Sequence, residues 1–141
     1  MKLVKIFNLG RVISETLYCQ LQELDKQIFY GCGNEFKTNR DWWVIEHNGK
    51  IIAYCGCIYS EGICIFCRAW VHRKHRGNGI QSKMIKARLK AAKGSCRVAI
   101  TYTTVDNIPS ANNLIKNNFV LYNPLYAYAG EDKLYFIKHL K

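Results

Sequence analysis

The residues best suited to chemistry lie in one run, His72-Arg73-Lys74-His75-Arg76-Gly77-Asn78-Gly79. Two glycines one residue apart permit a tight turn whose backbone approaches a ligand closely. A helix is expected to follow from about Ile80 to Lys93. The first turn of a helix presents unpaired N–H groups and a partial positive charge. Arg73, Lys74 and Arg76 add fixed charge. Together these make an anion site suited to phosphate. By itself, Gly-x-Gly equally describes an ordinary turn with solvated basic residues, because short glycine motifs are weak evidence. Two familiar phosphate loops do not fit. A Walker loop needs Gly-Lys-Ser/Thr, and Gly79 is followed by Ile80; the dinucleotide fingerprint needs a third glycine where Ser82 stands.

The charge balance points to the same stretch. The chain has 141 residues and a formal net charge of +11. Residues 1–61 carry seven Lys/Arg and seven Asp/Glu, whereas residues 62–105 carry ten Lys/Arg and no carboxylate. A uniformly basic packaging protein would not concentrate its surplus in this way. A hydrophobic fraction of 49% excludes a mostly disordered chain, and the length suits a single domain over 1–141. No apolar run approaches the ~20 residues that span a bilayer. The first residues carry a charge in their middle and no long apolar stretch, unlike a signal peptide. The expected location is the cytoplasm, with no membrane partner.

Seven cysteines (19, 32, 55, 57, 64, 67 and 96) are an odd number, which argues against a disulfide framework. Cys55-x-Cys57 followed by Cys64-x-x-Cys67 invites a zinc reading. Both pairs fall in runs that read as strands, where Cys64 and Cys67 point to opposite faces. Core thiols are expected, and no metal site.

The elements that must position the basic turn follow from periodicity. Residues 2–7 alternate as a strand. Val12 to Phe29 repeats apolar residues at threes and fours, a helix ending at Gly31-Cys32-Gly33. Trp42–Glu46 and 50–59 form a hairpin about Asn48-Gly49, and a fourth strand covers 63–72 after Ser60-Glu61-Gly62. In the helix after the turn, Ile80, Met84, Ile85, Leu89 and Ala92 face the core, and Lys83, Lys86, Lys90 and Lys93 face outward. A fifth strand covers 96–105. A short helix covers 108–117, capped by Asp106 or Asn107, and strands at 119–122 and 133–140 close the chain. The order β-α-β-β-β-α-β-α-β-β describes a mixed α/β sheet.

Val71 followed by Arg76-Gly77-Asn78-Gly79-Ile80-Gln81, and Asn107-Ile108-Pro109-Ser110 leading to Asn118-Phe119, resemble the two signature elements of the Gcn5-related N-acetyltransferase (GNAT) superfamily. Gln81 replaces a usual small residue. Asn118 replaces glycine, and asparagine is the next best residue for a left-handed turn. The resemblance covers nearly the whole chain. It implies a mixed, mostly antiparallel central sheet flanked by helices, and an acetyl-coenzyme-A-dependent transfer of an acetyl group to a primary amine of a protein or small molecule. It further implies that backbone at Trp70 and Val71 pairs with the pantetheine arm. The amides of Arg76, Gly77, Asn78, Gly79, Ile80 and Gln81 would cradle the pyrophosphate, and Asn107 and Ser110 would face the coenzyme from the other side. Lys74 and Lys116 either meet its ribose phosphate or sit in solvent.

An amine attacks a thioester only when neutral, and a lysine at pH 7 must lose its proton against roughly 3 pKa units, about 4–5 kcal/mol. Many relatives place a tyrosine acid seven residues after the motif asparagine; here Leu114 stands there. Some place a glutamate base five residues before it; here it is Tyr102, a poor base but a candidate acid. Glu46, Glu61, Tyr122, Tyr126 and Tyr128 are further polar groups without an assigned role, and an acyl-Cys67 route lacks an activating partner. These departures keep open a coenzyme-binding module that has lost catalysis. The lysine face of residues 83–93 keeps open a nucleic-acid-binding module. The acceptor, and the choice between monomer and homodimer, cannot be read from the residues.

Overall fold

The computed structural model describes residues 1–30 and 36–140. The sequence places the end of the first helix at residues 31–33, and that expectation, with Cys32, lies outside the described residues.

Among the described residues, eight strands form one sheet in the order β2-β1-β3-β4-β5-β6-β8-β7. They are β1 (Leu3–Asn8), β2 (Arg11–Val12), β3 (Arg40–His47), β4 (Lys50–Ser60), β5 (Ile63–Val71), β6 (Val98–Thr104), β7 (Val120–Leu121) and β8 (Lys133–His139). Every neighbouring pair is antiparallel except β5 and β6. The helices among the described residues are α1 (Glu15–Phe29), α2 (Ile80–Ala92) and α3 (Ile108–Lys116), with a 3-10 turn at Arg73–His75. The expected mixed, mostly antiparallel sheet flanked by helices is therefore observed.

Two corrections concern the first helix. Val12 does not belong to it: with Arg11 it forms β2, paired to Phe7 and Asn8 of β1. The helix starts at Glu15 because the Ser14 hydroxyl caps it, accepting from the Leu17 amide at 3.4 Å. The hairpin turns behave as read. Asn48 and Gly49 both have positive φ, 52° and 77°, the pattern of a two-residue turn matched to the strand twist.

Sheet and helices enclose two cores, one on each face. Leu21 of α1 packs with Phe7, Trp42, Val44 and Tyr54 on one face. Ile80, Met84 and Ile85 of α2, with Ala111 and Leu114 of α3, pack with Trp43, Cys55, Cys57, Cys64 and Phe66 on the other. β4 lies between the two, so residues 51–57 are all buried, and a strand covered on both faces reads as a continuous apolar run. Cys64 belongs to the α2/α3 face and Cys67 packs on the α1 face, as strand alternation requires. Cys55, Cys57 and Cys64 are fully buried, and thiols there behave as small hydrophobes.

Along α2 the buried side chains are Ile80, Met84, Ile85, Arg88 and Ala92. Leu89, expected in that stripe, is only half-buried. The helix is rotated so that a charged residue occupies a core position. Lys83, Lys86, Lys90 and Lys93 are exposed, as their spacing indicates. No helix among the described residues is long and apolar enough to cross a membrane.

Candidate active site

The site begins with an irregularity in β5. Cys67 pairs with Gly56 and Ala69 with Cys55, so Arg68 is an extra residue, bulged out with φ 51°. A bulge bends its strand and sharpens the local twist. β5 and β6 pair only at Ile63–Val98, Cys64–Ala99 and Ile65–Ile100. Beyond that, β5 stays with β4 as far as Val71, and β6 stays with β8 as far as Thr104. The two parallel strands therefore diverge into a notch inside the sheet. Backbone groups facing that notch have no strand partner across it, and such groups require another partner or water.

At the open end of the notch lies the basic turn. Gly77 and Gly79 have φ of 81° and 77°, a region that side chains other than glycine enter at a cost. Nothing lies within 4 Å of where a Cβ on either would stand, so the backbone there is open to a ligand. Gly79 is the N-cap of α2, and no side chain caps the helix. The orphan amides of that helix end are left for an anion. Arg76 Nε donates to the Val71 carbonyl at 3.0 Å and ties the turn to the end of β5. His72 caps the 3-10 turn through Nδ1, which accepts from the Lys74 amide at 3.1 Å.

A cavity of about 500 Å³ joins these pieces. Its walls include Ala69, Trp70 and Val71 of β5, then Arg76, Gly77, Gly79, Ile80 and Gln81 of the turn and α2. Asn107, Ser110 and Lys116 complete it from the α3 side. The structure thus brings together nine of the ten coenzyme-contact residues named from sequence. Asn78 is the exception. Its side-chain Nδ2 donates to the His75 carbonyl at 3.3 Å, closing the turn, and it does not line the cavity. Of the two lysines, Lys116 reaches the wall and Lys74 does not. Asn107 is the α3 cap: its Oδ1 accepts from the Ser110 amide at 3.3 Å. Asn118 takes φ 68°, the left-handed turn expected of it, and directs Phe119 into the core against Phe66 at 5.5 Å between ring centres.

A second cavity, also about 500 Å³, continues from the first and shares Ala69, Gln81, Asn107 and Ser110 with it. It passes through the notch, between Phe66, Cys67 and Arg68 on one side and Thr101, Tyr102 and Thr103 on the other. Tyr102 is 41% exposed and packs against Tyr128 and Tyr135, with ring centres 5.9 Å and 6.2 Å away. The Tyr128 oxygen is buried without a hydrogen-bond partner, and burial, reinforced by Tyr122, Tyr135 and Tyr102, pushes its phenol above the usual tyrosine value. Leu114 lines this cavity and is itself buried. Among the described residues, no carboxylate lines either cavity. Glu46 and Glu61 are exposed at the hairpin ends. Burial pushes the Cys67 thiol up to about 12, which removes it as a nucleophile.

Sequence reasoning missed two parts of this region. Arg88 lies in the second cavity wall; its position four residues after Met84 on the apolar stripe was the available signal. Asp25, 2% exposed on α1, accepts from Tyr54 Oη at 2.7 Å and from Arg68 Nε at 2.9 Å, and so anchors the bulged residue. Nothing local marks Asp25, because its partners come from two distant strands.

A notched, mixed sheet with a glycine turn feeding an uncapped helix is an acyl-CoA N-acyltransferase architecture. The model of the Acetyltransferase (GNAT) family matches residues 8–119, and the chain belongs to that family. No curated protein sequence matches it. Among solved structures, it resembles Escherichia coli ElaA at 12% identity and a TM-score of 0.78, over 99% of this chain and all of that one. It also resembles Arabidopsis thaliana NAA60 in complex with a bisubstrate analogue, at 13% identity and a TM-score of 0.70, over 99% and 98% of the two chains. A Bacillus anthracis acetyltransferase solved with acetyl coenzyme A aligns at 19% identity and a TM-score of 0.62, over 74% of this chain and 65% of that one. At these identities the likenesses establish the fold.

Proposed function

We propose that this protein is an acetyl-CoA-dependent N-acetyltransferase acting on a primary amine of a protein or small molecule, and that residues 1–141 work as one domain. The observation that carries this reading is the continuity of the phosphate-type turn with the notch. An anion held by the free amides after Gly77 and Gly79 would be followed by an arm running along the unpaired edge at Ala69–Val71. That arm ends where β5 and β6 part, beside Tyr102.

In this reading the amine nitrogen attacks the thioester carbon, the C–N bond forms, and the C–S bond breaks. A backbone N–H near Val71 holds the oxyanion. Among the described residues no carboxylate lines either cavity, and the proton lost by the amine passes through water at the cavity mouth. Tyr102 is the proton donor to the leaving thiolate and recovers its proton, through water, from the amine, so that the amine's proton ends in effect on the coenzyme thiol.

One observation favours a second reading, a coenzyme-binding module without catalysis: Leu114 fills the position of the family's tyrosine acid and is 5% exposed. Isothermal titration with coenzyme A, followed by thioester cleavage on a panel of amines, separates the two. Micromolar binding with turnover on at least one amine supports the enzyme. Binding with no turnover on any amine supports the module. A salt-dependent nucleic-acid shift that coenzyme A does not compete would favour a nucleic-acid-binding module, and with no coenzyme A binding it would overturn both.

A further inference from the structure

Arg88 is a buried cation with no carboxylate beside it among the described residues. It is 2% exposed. Its Nε donates to the Met84 carbonyl at 3.2 Å and its Nη1 to the Gly56 carbonyl at 3.4 Å. The guanidinium carbon sits 3.9 Å from the centre of the Phe66 ring. Among the described residues no carboxylate pairs with it. Removing a charge from water without a counter-ion is costly, and proteins rarely leave it so.

Its location indicates what would supply the anion. Arg88 lines the second cavity, together with Phe66, Thr101 and Thr103. The Thr103 hydroxyl is buried and also lacks a partner. Arg88 lies eight residues beyond Ile80, about 12 Å along the α2 axis from the phosphate turn. Phe66 and Gly56 place it at the level of the β5 bulge, past the edge that would pair with the coenzyme arm. A group attached to the thioester and extending away from the phosphates would arrive between Arg88 and Thr103.

We infer that the acyl donor carries a carboxylate at the far end of a short chain, a dicarboxylic acyl thioester, with Arg88 as its anion partner and Thr103 as a second donor. This rests on the coenzyme docking proposed above, with acetyl-coenzyme A as the weaker donor and the carboxylate-bearing thioester as the preferred one. The transfer balances as before: the amide C–N bond forms, the C–S bond breaks, and the amine's proton ends on the coenzyme thiol. The carboxylate stays with the acyl group. The competing anion within the protein is Cys57. Burial raises its thiol, but hydrogen bonds from Cys64 and Tyr59, with Arg88 nearby, outweigh that and hold it below its ordinary value. A Cys57 thiolate would neutralise Arg88 and leave no advantage to an anionic donor.

The test is calorimetric binding of coenzyme A, acetyl-coenzyme A, butyryl-coenzyme A and succinyl-coenzyme A to the intact protein. The last two match in length and differ in the terminal carboxylate. The inference expects succinyl-coenzyme A to bind at least tenfold tighter than butyryl-coenzyme A. It expects Arg88→Met to bring that ratio close to one and Arg88→Lys to keep part of it. Because the ratio is read within each variant, a general loss of affinity does not imitate the result, and the wild-type ratio stands even where a variant fails to fold. Equal binding of the succinyl and butyryl thioesters to the wild type overturns the inference. Failure of coenzyme A itself to bind overturns the reading beneath it.

Discussion

Gly79 offers a quantitative test of the phosphate turn, because the fold contains its own control. Gly79 and Gly49 both have φ 77°, and nothing lies within 4 Å of a Cβ built on either. Gly49 sits in the β3–β4 hairpin turn and lines neither cavity; Gly79 lines the first and caps α2. Alanine at either site therefore meets the same penalty, the cost of a left-handed backbone, about 1–2 kcal/mol. For a chain of this size that lowers the melting temperature by roughly 3–8 °C. At Gly79, which lines the first cavity, the new methyl also takes up open space that a bound anion would need. Loss of one charge-assisted hydrogen bond to a phosphate costs about 1.5–3 kcal/mol, or roughly 10- to 150-fold in affinity. Thermal unfolding without ligand and titration with coenzyme A at 25 °C measure the two effects separately. The expected outcome is equal destabilisation of Gly49→Ala and Gly79→Ala, with affinity lost only in Gly79→Ala. Coenzyme binding within twofold of wild type in Gly79→Ala would refute the anion site at this turn. An equal loss in Gly49→Ala would show that stability, not contact, governs the affinity.

Three further outcomes are expected. Tyr102→Phe should lower kcat by about 10²-fold, with little change in KM and in melting temperature because Tyr102 is partly exposed; an unchanged kcat removes it as the proton donor. Asp25→Ala removes the acceptor shared by the buried Tyr54 hydroxyl and the half-buried Arg68 guanidinium and should cost about 1–3 kcal/mol in urea unfolding, whereas no measurable change would mean the carboxylate is not an anchor. Burial holds the Cys55 and Cys67 thiols at about 12, above the ordinary 9.0. The unfolded chain therefore ionises first as pH rises, and each thiol should remove about 1.4 kcal/mol of stability per pH unit between pH 9 and 12. Below pH 9 that contribution is fully present; urea midpoints at pH 8, 9, 10 and 11 that do not fall would contradict it.

Local sequence rules place most elements to within one to three residues, because each is bounded by a local signal. Asn48-Gly49 and Glu61-Gly62 adopt positive φ and close the two hairpins. Gly79 starts α2, Asn107 caps α3, and Asn118 turns the chain before Phe119. Where the reading missed, a non-local partner decided. Val12 fits a helical spacing but is taken by pairing with Phe7. Leu89 fits the apolar stripe of α2 as well as Arg88 does. The guanidinium is the one buried, because the Gly56 carbonyl on β4 and the Phe66 ring on β5 receive it.

The basic block and the two glycines were therefore enough to locate the glycine turn and the uncapped start of α2, since φ preference and helix-end polarity are properties of a few adjacent residues. They could not reveal the notch. That depends on a bulge at Arg68, held by Asp25 from another element, which makes β5 and β6 part after three pairs. Helical spacing set Lys90 outward to solvent, but it could not show that Arg88 turns inward to the notch. Burial of a charge is set by what the rest of the chain packs around it, and only the tertiary structure brings those groups together.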